Sequence, residues 1–335
     1  MKRTLSIVLA LVLVFALCSS AFAAGKPITI KMVSSLSSSD PCIKALVAAN
    51  EKVKELTDGN VDVQMYADGQ MLMSDEGIEA MLSDAAVICV NDPLTLADYV
   101  PVFDTICAPF MWQSSKEIEA FTKTEKYAEV LEKGHAANFH LITTDFNIGA
   151  RSILSNVEVR SVEDCKKLNI RLPNATVYIK LFDEFGANYQ ATSWNNGLTG
   201  METKMLNGAE GTAMRMSSES VYELLDTPVF SDVRYMASPM ALQISYNFWQ
   251  SIPEEYRDIM TEVYTECAAE QNAHVRDNEE MYMADLEAHG VKVIRFDEID
   301  TTGFYAGADK VCADMEDYAA IKDAVQAVRD ALAAN

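Results

Sequence analysis

The chain has 335 residues, of which 49% are hydrophobic and 9% aromatic, a composition typical of a folded globular protein. Its 27 basic and 50 acidic residues give a formal net charge of -23. A surface of that sign repels phosphate backbones and anionic membranes, which argues against nucleic-acid binding. An anionic ligand would need local cations that overcome this field.

The first 23 residues predict a secretory signal peptide. Lys2 and Arg3 precede an apolar run from about residue 5 to residue 17, and the sequence Ala-Phe-Ala at 21–23 fits a cleavage site. The run is shorter than the ~20 residues that span a bilayer, so we expect export to the periplasm rather than a membrane anchor. Loss of this segment would change the net charge to -25 and leave about 312 residues. That length favours two lobes over one core.

Six of the seven cysteines follow the signal segment, widely spread and without a C-x-x-C pair. An exported protein permits disulfides, but one sequence does not give their connectivity. We interpret most of these cysteines as small buried hydrophobic residues.

After the signal segment, residues 28–66 predict a β-α-β unit with a parallel strand pair. Residues 28–33 and 61–66 are β-rich, and the helix between them has Asp40 as its N-cap and Pro41 at its first position. A right-handed crossover joins strands in such a unit. The next predicted elements are a helix over 75–82, a strand over 86–90, helices between 114 and 134, and strands over 139–146 and 150–155.

The second half of the chain continues this alternation and ends in long helices. Its predicted elements are a short helix over 161–168, a strand over 170–172, a helix over 175–186, a strand near 187–190, a helix from about 194 to 206, a strand over 211–215, a helix over 218–225, a long strand over 240–249, a helix over 252–290, a strand over 291–296 and a terminal helix over 309–334. No Pro or Gly interrupts the sequence between Pro253 and Gly290. A helix there would be roughly 50 Å long and could cross both lobes.

The fold class predicted from these elements is α/β, with two lobes joined by strands that act as hinges. The predicted lobes comprise residues 25–148 plus about 239–278, and 149–238 plus about 279–335. A ligand would bind in the cleft between them.

No enzyme signature is present: the chain has no G-x-S-x-G, H-E-x-x-H, phosphate-loop or G-x-G-x-x-G motif. Its four histidines, at positions 135, 140, 274 and 289, show no paired spacing. We therefore expect neither catalysis nor a metal or other cofactor.

Arg171 is the most distinctive candidate site residue. It lies between Ile170 and Leu172 in a short predicted strand, directly before Pro173 and a helix. An arginine there would project at the carboxyl edge of an α/β sheet, where ligands commonly bind. Its planar guanidinium matches a carboxylate in a bidentate manner, and Asn174 could add a donor. A structural arginine paired with a nearby Glu is the alternative.

Other candidates lie in the predicted cleft. Arg151 is a cation in a β-rich segment near the expected lobe crossing, and Trp194 with Asn195 opens a helix. Met214, with Arg215, ends the predicted strand over 211–215 and would face the same cleft. The remaining candidates for the pocket are Glu76, Asn91 and the loop over 37–40.

Several segments, in order, resemble the solute receptors of tripartite ATP-independent periplasmic (TRAP) transporters of the DctP type. They are LTDGNVDVQMYADGQMLMSDEGIEAM (56–81), PVFDTICAPFMW (101–112), GARSILS (149–155), SVEDCKKLNIRLPN (161–174), EFGANYQATSW (184–194) and SIPEEYRDIM (251–260). The resemblance covers nearly all of the chain after the signal segment.

The resemblance implies a two-lobed periplasmic-binding-protein-like fold with a long helix across both lobes. It implies a receptor, expected to be a monomer, that delivers an organic acid to membrane permease subunits. It further implies that Arg171 forms the salt bridge to the ligand carboxylate and that Arg151 assists. Met214 stands where the family commonly has a ligand-binding Asn, which would favour a less polar carboxylate.

Three alternatives share parts of this pattern. A receptor of an ATP-driven importer would have the same fold, and a sensor module would pass its liganded state to a membrane kinase. An exported enzyme acting on small acids would show turnover.

Overall fold

The computed structural model describes residues 26–71 and 75–334, so the predicted signal peptide lies outside the described residues. No helix in these ranges combines the length and the apolar character needed to cross a membrane. Their strands are β1 (Ile28–Ser34), β2 (Val61–Tyr66), β3 (Val87–Asn91), β4 (Phe139–Leu141), β5 (Phe146–Ser155), β6 (Asn169–Leu172), β7 (Asn188–Ala191), β8 (Gly208–Thr212), β9 (Val229–Ser245) and β10 (Lys292–Ile294).

The helices of the described ranges are α1 (Pro41–Leu56), α2 (Asp75–Leu82), α3 (Val102–Ile106), α4 (Ser115–Phe121), α5 (Glu125–Ala136), α6 (Thr176–Glu184), α7 (Trp194–Glu202), α8 (Ala213–Ser218), α9 (Tyr246–Ser251), α10 (Glu254–Ala288), α11 (Thr302–Cys312) and α12 (Tyr318–Ala333). Short 3-10 segments occupy Pro93–Leu96, Val162–Lys167, Val221–Leu224 and Phe296–Glu298.

The strands form one path in the order β2-β1-β3-β9-β5-β8-β6-β7, with β4 and β10 also paired to β9. The C-terminal part of β9 pairs with β3 and β4, and its N-terminal part pairs with β10. We define lobe I by β1–β4 and lobe II by β6–β8 and β10. Strands β5 and β9, which pair along their length, connect the lobes. The predicted α/β fold with hinge strands is therefore confirmed.

The predicted β-α-β unit is present at the start of lobe I. Strands β1 and β2 pair in parallel, with Ile30 opposite Val63. Between them, the Asp40 side chain accepts a hydrogen bond of 2.8 Å from the Cys42 amide and caps α1, with Pro41 in the first turn. Local capping and apolar periodicity thus suffice to define this unit.

Helix α10 is the long helix predicted across both lobes. Its 35 residues extend about 52 Å at 1.5 Å per residue. At the lobe I end, the Tyr264 hydroxyl donates to Asn50 Oδ1 of α1 at 2.8 Å. At the lobe II end, the Ser217 hydroxyl of α8 donates to Asp285 at 2.6 Å.

The C-terminal region differs from the single terminal helix that was predicted. Helix α11 packs on α6 in lobe II, where Phe304 contacts Phe185 edge-on. Helix α12 instead packs on α4, and Arg329 forms an ion pair of 2.8 Å with Glu117. Residues 318–333 therefore lie against lobe I, whereas the predicted division placed all residues after about 279 in lobe II. The other predicted boundaries stay predictions.

All six cysteines of the described residues are buried as free thiols. Cys42 and Cys165 are among those with no exposed surface, within the apolar clusters on either side of the sheet. Their surroundings match the interpretation as small buried hydrophobic residues.

Asn272 of α10 fixes the start of β5, so its loss should destabilise the junction between the lobes. Its amide accepts from the Asn147 backbone N–H at 2.8 Å and donates to the Asp145 carbonyl at 2.6 Å, and its side chain is fully buried. Asn272→Ala leaves both backbone groups without partners, and we expect unfolding in urea to show a loss of about 2–4 kcal/mol. The control, Asp277→Ala at an exposed position of the same helix, should change stability by no more than about 0.5 kcal/mol. Equal losses in both variants would contradict this role.

Candidate functional site

A cavity of about 530 Å³ lies between the lobes. Lobe I contributes the carboxyl ends of β1 and β3, and lobe II contributes the end of β6 with the first turns of α6 and α7. The ends of parallel strands leave backbone and side-chain donors unpaired at one sheet edge, which is why ligands bind there in α/β proteins. Three arginines of this chain line the cavity: Arg151, Arg171 and Arg215.

Arg171 is held firmly by the protein backbone but only weakly by carboxylates. Its Nε donates to the Thr192 carbonyl at 2.9 Å, and its aliphatic part lies so close to Gly197 that a Cβ there would fall 2.3 Å from Cγ. Among the described residues its carboxylate contact is from Nη1 to Glu210 Oε1, at 3.5 Å. Burial, with Arg215 and Arg151 acting in the same direction, lowers the Arg171 pKa to about 10.

Arg151, in contrast, has strong protein partners. Its Nη1 contacts both oxygens of Glu210, at 3.0 and 2.8 Å, and its Nη2 contacts Asp92 at 3.2 Å. The Tyr178 hydroxyl donates to Asp92 at 3.0 Å, and the Tyr235 hydroxyl donates to Glu210 at 2.6 Å. Burial alone would lower the Arg151 pKa, but Glu210 and the other partners raise it well above its usual value.

A bulge in the hinge strands positions Arg151. The pairing of β5 with β9 shifts register between Asn147 and Ala150 and again between Arg151 and Ile153. Gly149 has φ of 107°, a backbone conformation that favours glycine. Bulges of this kind redirect side chains near functional sites.

Arg215 and Trp194 form a second rigid element of the lobe II wall. The Arg215 guanidinium carbon lies 3.8 Å from the centroid of the Trp194 ring. Glu219 joins the two, accepting from Arg215 Nε at 3.1 Å and from Trp194 Nε1 at 2.7 Å. The indole and the guanidinium are therefore fixed to one carboxylate.

The predicted position of Met214 is wrong. Strand β8 ends at Thr212, whose side chain caps α8 by accepting from the Arg215 amide at 3.3 Å. Because the chain turns into a helix at Ala213, Met214 points into the hydrophobic core and is 2% exposed, whereas Arg215 lies at the cavity as expected. The expectation of a less polar ligand rested on Met214 at the cavity wall, so that premise is removed.

The structure brings most of the other predicted residues together. Glu76, Asn91, Asn174 and Trp194 line the cavity along with Arg151 and Arg171. Asn195 is exposed and lies outside the cavity lining, because it occupies the outer side of the first turn of α7. The loop over 37–40 is also outside the lining, since Asp40 caps α1, and the preceding Ser34 and Ser35 line the cavity.

The residues that hold Arg151 are not among the predicted site residues. Asp92 directly follows β3, and its place at the carboxyl end of a buried strand could have marked it. Glu210 is the one charged residue in the otherwise small strand Gly208–Thr212, which is a comparable signal. Tyr178 and Tyr235 carried no local signal, because both read as apolar core residues.

The two lobes, the hinge strands and the polar interlobe cavity define the class of two-lobed solute-binding receptors. Within this class, the chain belongs to the family described as bacterial extracellular solute-binding protein, family 7 (DctP), whose model matches residues 32–318. The predicted membership among TRAP solute receptors is confirmed.

Relatives and solved structures agree with this assignment. A solute-binding protein of Chromohalobacter salexigens is 22% identical over 76% of this chain and 75% of its own length. The C4-dicarboxylate-binding periplasmic protein DctP of Vibrio cholerae is 22% identical over 72% of each chain. A TRAP periplasmic solute-binding protein of Desulfovibrio salexigens, solved with diglycerolphosphate, has a TM-score of 0.87 at 23% identity, covering 92% of this chain and 100% of its own. It shows the shared fold.

Glu210 should be essential for the stability of the cavity wall. Glu210→Leu leaves the buried Arg151 guanidinium with Asp92 as its one carboxylate partner, and we expect a loss of about 3–5 kcal/mol in the free energy of unfolding. Glu158→Leu is the matched control, because Glu158 also pairs with an arginine, Arg160, but at the surface. It should cost no more than about 1 kcal/mol. Urea unfolding of both variants checks this, and a small loss for Glu210→Leu would refute the ion-pair argument.

Proposed function

We propose that this protein is the exported receptor of a TRAP transporter, which binds a small acid in the interlobe cavity and delivers it to membrane permease subunits. One observation carries the ligand class. Arg171 is a buried, positioned guanidinium at the cavity with a single long contact to a carboxylate. A buried cation of this kind is stabilised by an anionic ligand, and the fork of its nitrogens suits an acid group.

We first expected Arg151 to assist Arg171 in binding the ligand, but in this proposal it stabilises the cavity wall instead. Glu210 and Asp92 already offset its charge, so it contributes less net attraction for an anion than Arg171. It fixes the wall of the cavity and leaves Arg171 to bind the acid group directly.

The names of related proteins support an acidic ligand. Relatives of this chain are named as binding C4-dicarboxylates or sialic acid, and structural neighbours were solved with β-D-galacturonate, L-fuconate or glycerol phosphates. These molecules share an acid group attached to a small polar skeleton, and they differ in the rest. The acid group is the feature they have in common, and it is the part that Arg171 would bind.

Closure of the lobes explains how so few cations bind an anion on an acidic protein. Surface charges act through water and are screened by salt beyond about 10 Å at 0.1 M ionic strength. Inside a closed cleft the effective dielectric constant falls, and the attraction between an acid group and Arg171 grows accordingly. The hinge strands β5 and β9 give the lobes the connection that such closure needs.

Export and delivery complete the proposal. The family is extracellular by description, and the N-terminal 23 residues have the features of a cleavable signal peptide. We expect the receptor to act as a monomer in the periplasm. The partner would be the membrane permease of the TRAP system.

A thermal-shift screen of small acids tests the ligand-binding part. An acid present at 100 times its Kd should stabilise the wild type by about 2.7 kcal/mol, seen as a rise in Tm. Arg171→Gln should remove this shift because the acid group loses its cation. Arg276→Gln is the control, since Arg276 pairs with Glu119 away from the cavity, and it should keep the shift. The proposal is rejected if no acid stabilises the wild type, or if Arg171→Gln responds as the wild type does.

A further inference from the structure

Two cavity arginines lie against the same indole ring. The guanidinium carbons of Arg171 and Arg215 are 5.2 and 3.8 Å from the centroid of Trp194. Since both distances refer to one point, the two carbons lie no more than about 9 Å apart. Both arginines also line the same cavity, and we call this pair of guanidinium groups the cationic patch.

Most of the hydrogen-bonding capacity of the Arg215 side chain is not used by the described residues. Its side-chain hydrogen bonds to described residues use Nε alone, which donates to Glu219. Its Nη2 is buried without a partner among the described residues. A buried donor left without an acceptor destabilises the protein, so an acceptor at this guanidinium would be stabilising.

The carboxylates near the patch do not provide that acceptor. Glu219 already accepts one hydrogen bond on each oxygen, from Arg215 Nε and from the Trp194 indole. Asp40 contributes to the electrostatic surroundings of Arg215 without an ion pair to it, and its own Oδ2 is likewise buried without a partner among the described residues. Glu210 is held by Arg151 and by Tyr235.

Repulsion between the two guanidinium groups also favours the binding of an anion. Arg215 lowers the pKa of Arg171, beyond the larger effect of burial. Two cations on one buried wall are stabilised by an anion that contacts both, and by a doubly charged anion more than by a singly charged one.

We infer that Arg171 and Arg215 together bind the phosphoryl group of a small phosphate ester, and that Arg215 makes the receptor prefer such esters to monocarboxylates. This inference rests on the proposed function. A carboxylate has two oxygens, which one bidentate arginine can satisfy. A phosphate monoester has three acceptor oxygens and a charge of about -1.5 to -2 at pH 7, which two guanidinium groups can share.

The remaining walls of the cavity suit a hydroxylated skeleton on that ester. Lobe I contributes Ser34, Asn91, Thr95 and Gln243 to the lining. Hydroxyl and amide groups exchange hydrogen bonds with polyol hydroxyls. A small polyol phosphate therefore fits both ends of the cavity.

Calorimetry with two probes of similar skeleton tests the inference: glycerol 3-phosphate and glycerate. We expect the wild type to bind the ester at least about tenfold more tightly than glycerate, corresponding to about 1.4 kcal/mol. Arg215→Gln should weaken ester binding by about 10- to 100-fold, the range for a lost charge-assisted hydrogen bond, and change glycerate binding less than about threefold. Arg171→Gln should weaken both.

Arg215→Lys is the second variant, which keeps the charge and loses the planar fork. We expect it to retain part of the preference for the ester. If Arg215→Gln fails to fold, Arg215→Lys takes its place in the test. Succinate is a third probe, because a diacid could also contact both arginines. Tighter wild-type binding of glycerate or succinate than of the ester would overturn the inference, as would equal weakening of ester and glycerate by Arg215→Gln. Failure of every acid to bind the wild type would instead reject the proposed function itself.

Discussion

The cavity of this receptor depends on one buried ion pair, between Arg151 and Glu210, which Asp92 extends across the cleft. Arg151 comes from hinge strand β5 and Glu210 from β8 of lobe II, whereas Asp92 follows β3 of lobe I. All three side chains are shielded from solvent. Charges in such surroundings are stable as long as each keeps its partner, so the contact with Asp92 links the position of one lobe to that of the other.

That network also determines which arginine is available to a ligand. Glu210 receives both Arg151 Nη1 and the Tyr235 hydroxyl at 3.0 Å or less, and its contact to Arg171 is longer, at 3.5 Å. A carboxylate bound to two close donors attracts a third more weakly. The Arg171 orientation is instead fixed by the Thr192 carbonyl and by close packing on Gly197, both of which leave its charge unneutralised. Under the proposed function, Arg151 therefore stabilises the wall and Arg171, on the same wall, binds the ligand.

Much of the fold could be predicted because its signals are local. Apolar periodicity and the Asp40 cap define the first β-α-β unit, and the absence of Pro and Gly marks the long helix. Arg171 could be identified for the same reason, as a cation between two apolar strand residues before a proline. The end of β8 could not, because residues 211–215 are compatible with a strand until the Thr212 side chain caps a helix. That single turn removes Met214 from the cavity and leaves Arg215 there.

The partners of Arg151 illustrate a different limit. Asp92, Tyr178 and Tyr235 come from three separate segments, and each meets the network only after the strands pair. No spacing in the sequence relates them, so the sequence predicts that Arg151 is unusual without predicting that it is neutralised.

Whether a cavity arginine is neutralised by carboxylates matters because the net charge of the whole chain says little about this cavity. At ordinary ionic strength the distant acidic surface is screened, and the affinity for an anion follows from the few guanidinium groups that lack a close carboxylate. At this cavity Arg171 is such a group, with a carboxylate contact of 3.5 Å, whereas Arg215 is paired with Glu219 through Nε and has only its Nη2 without a partner among the described residues.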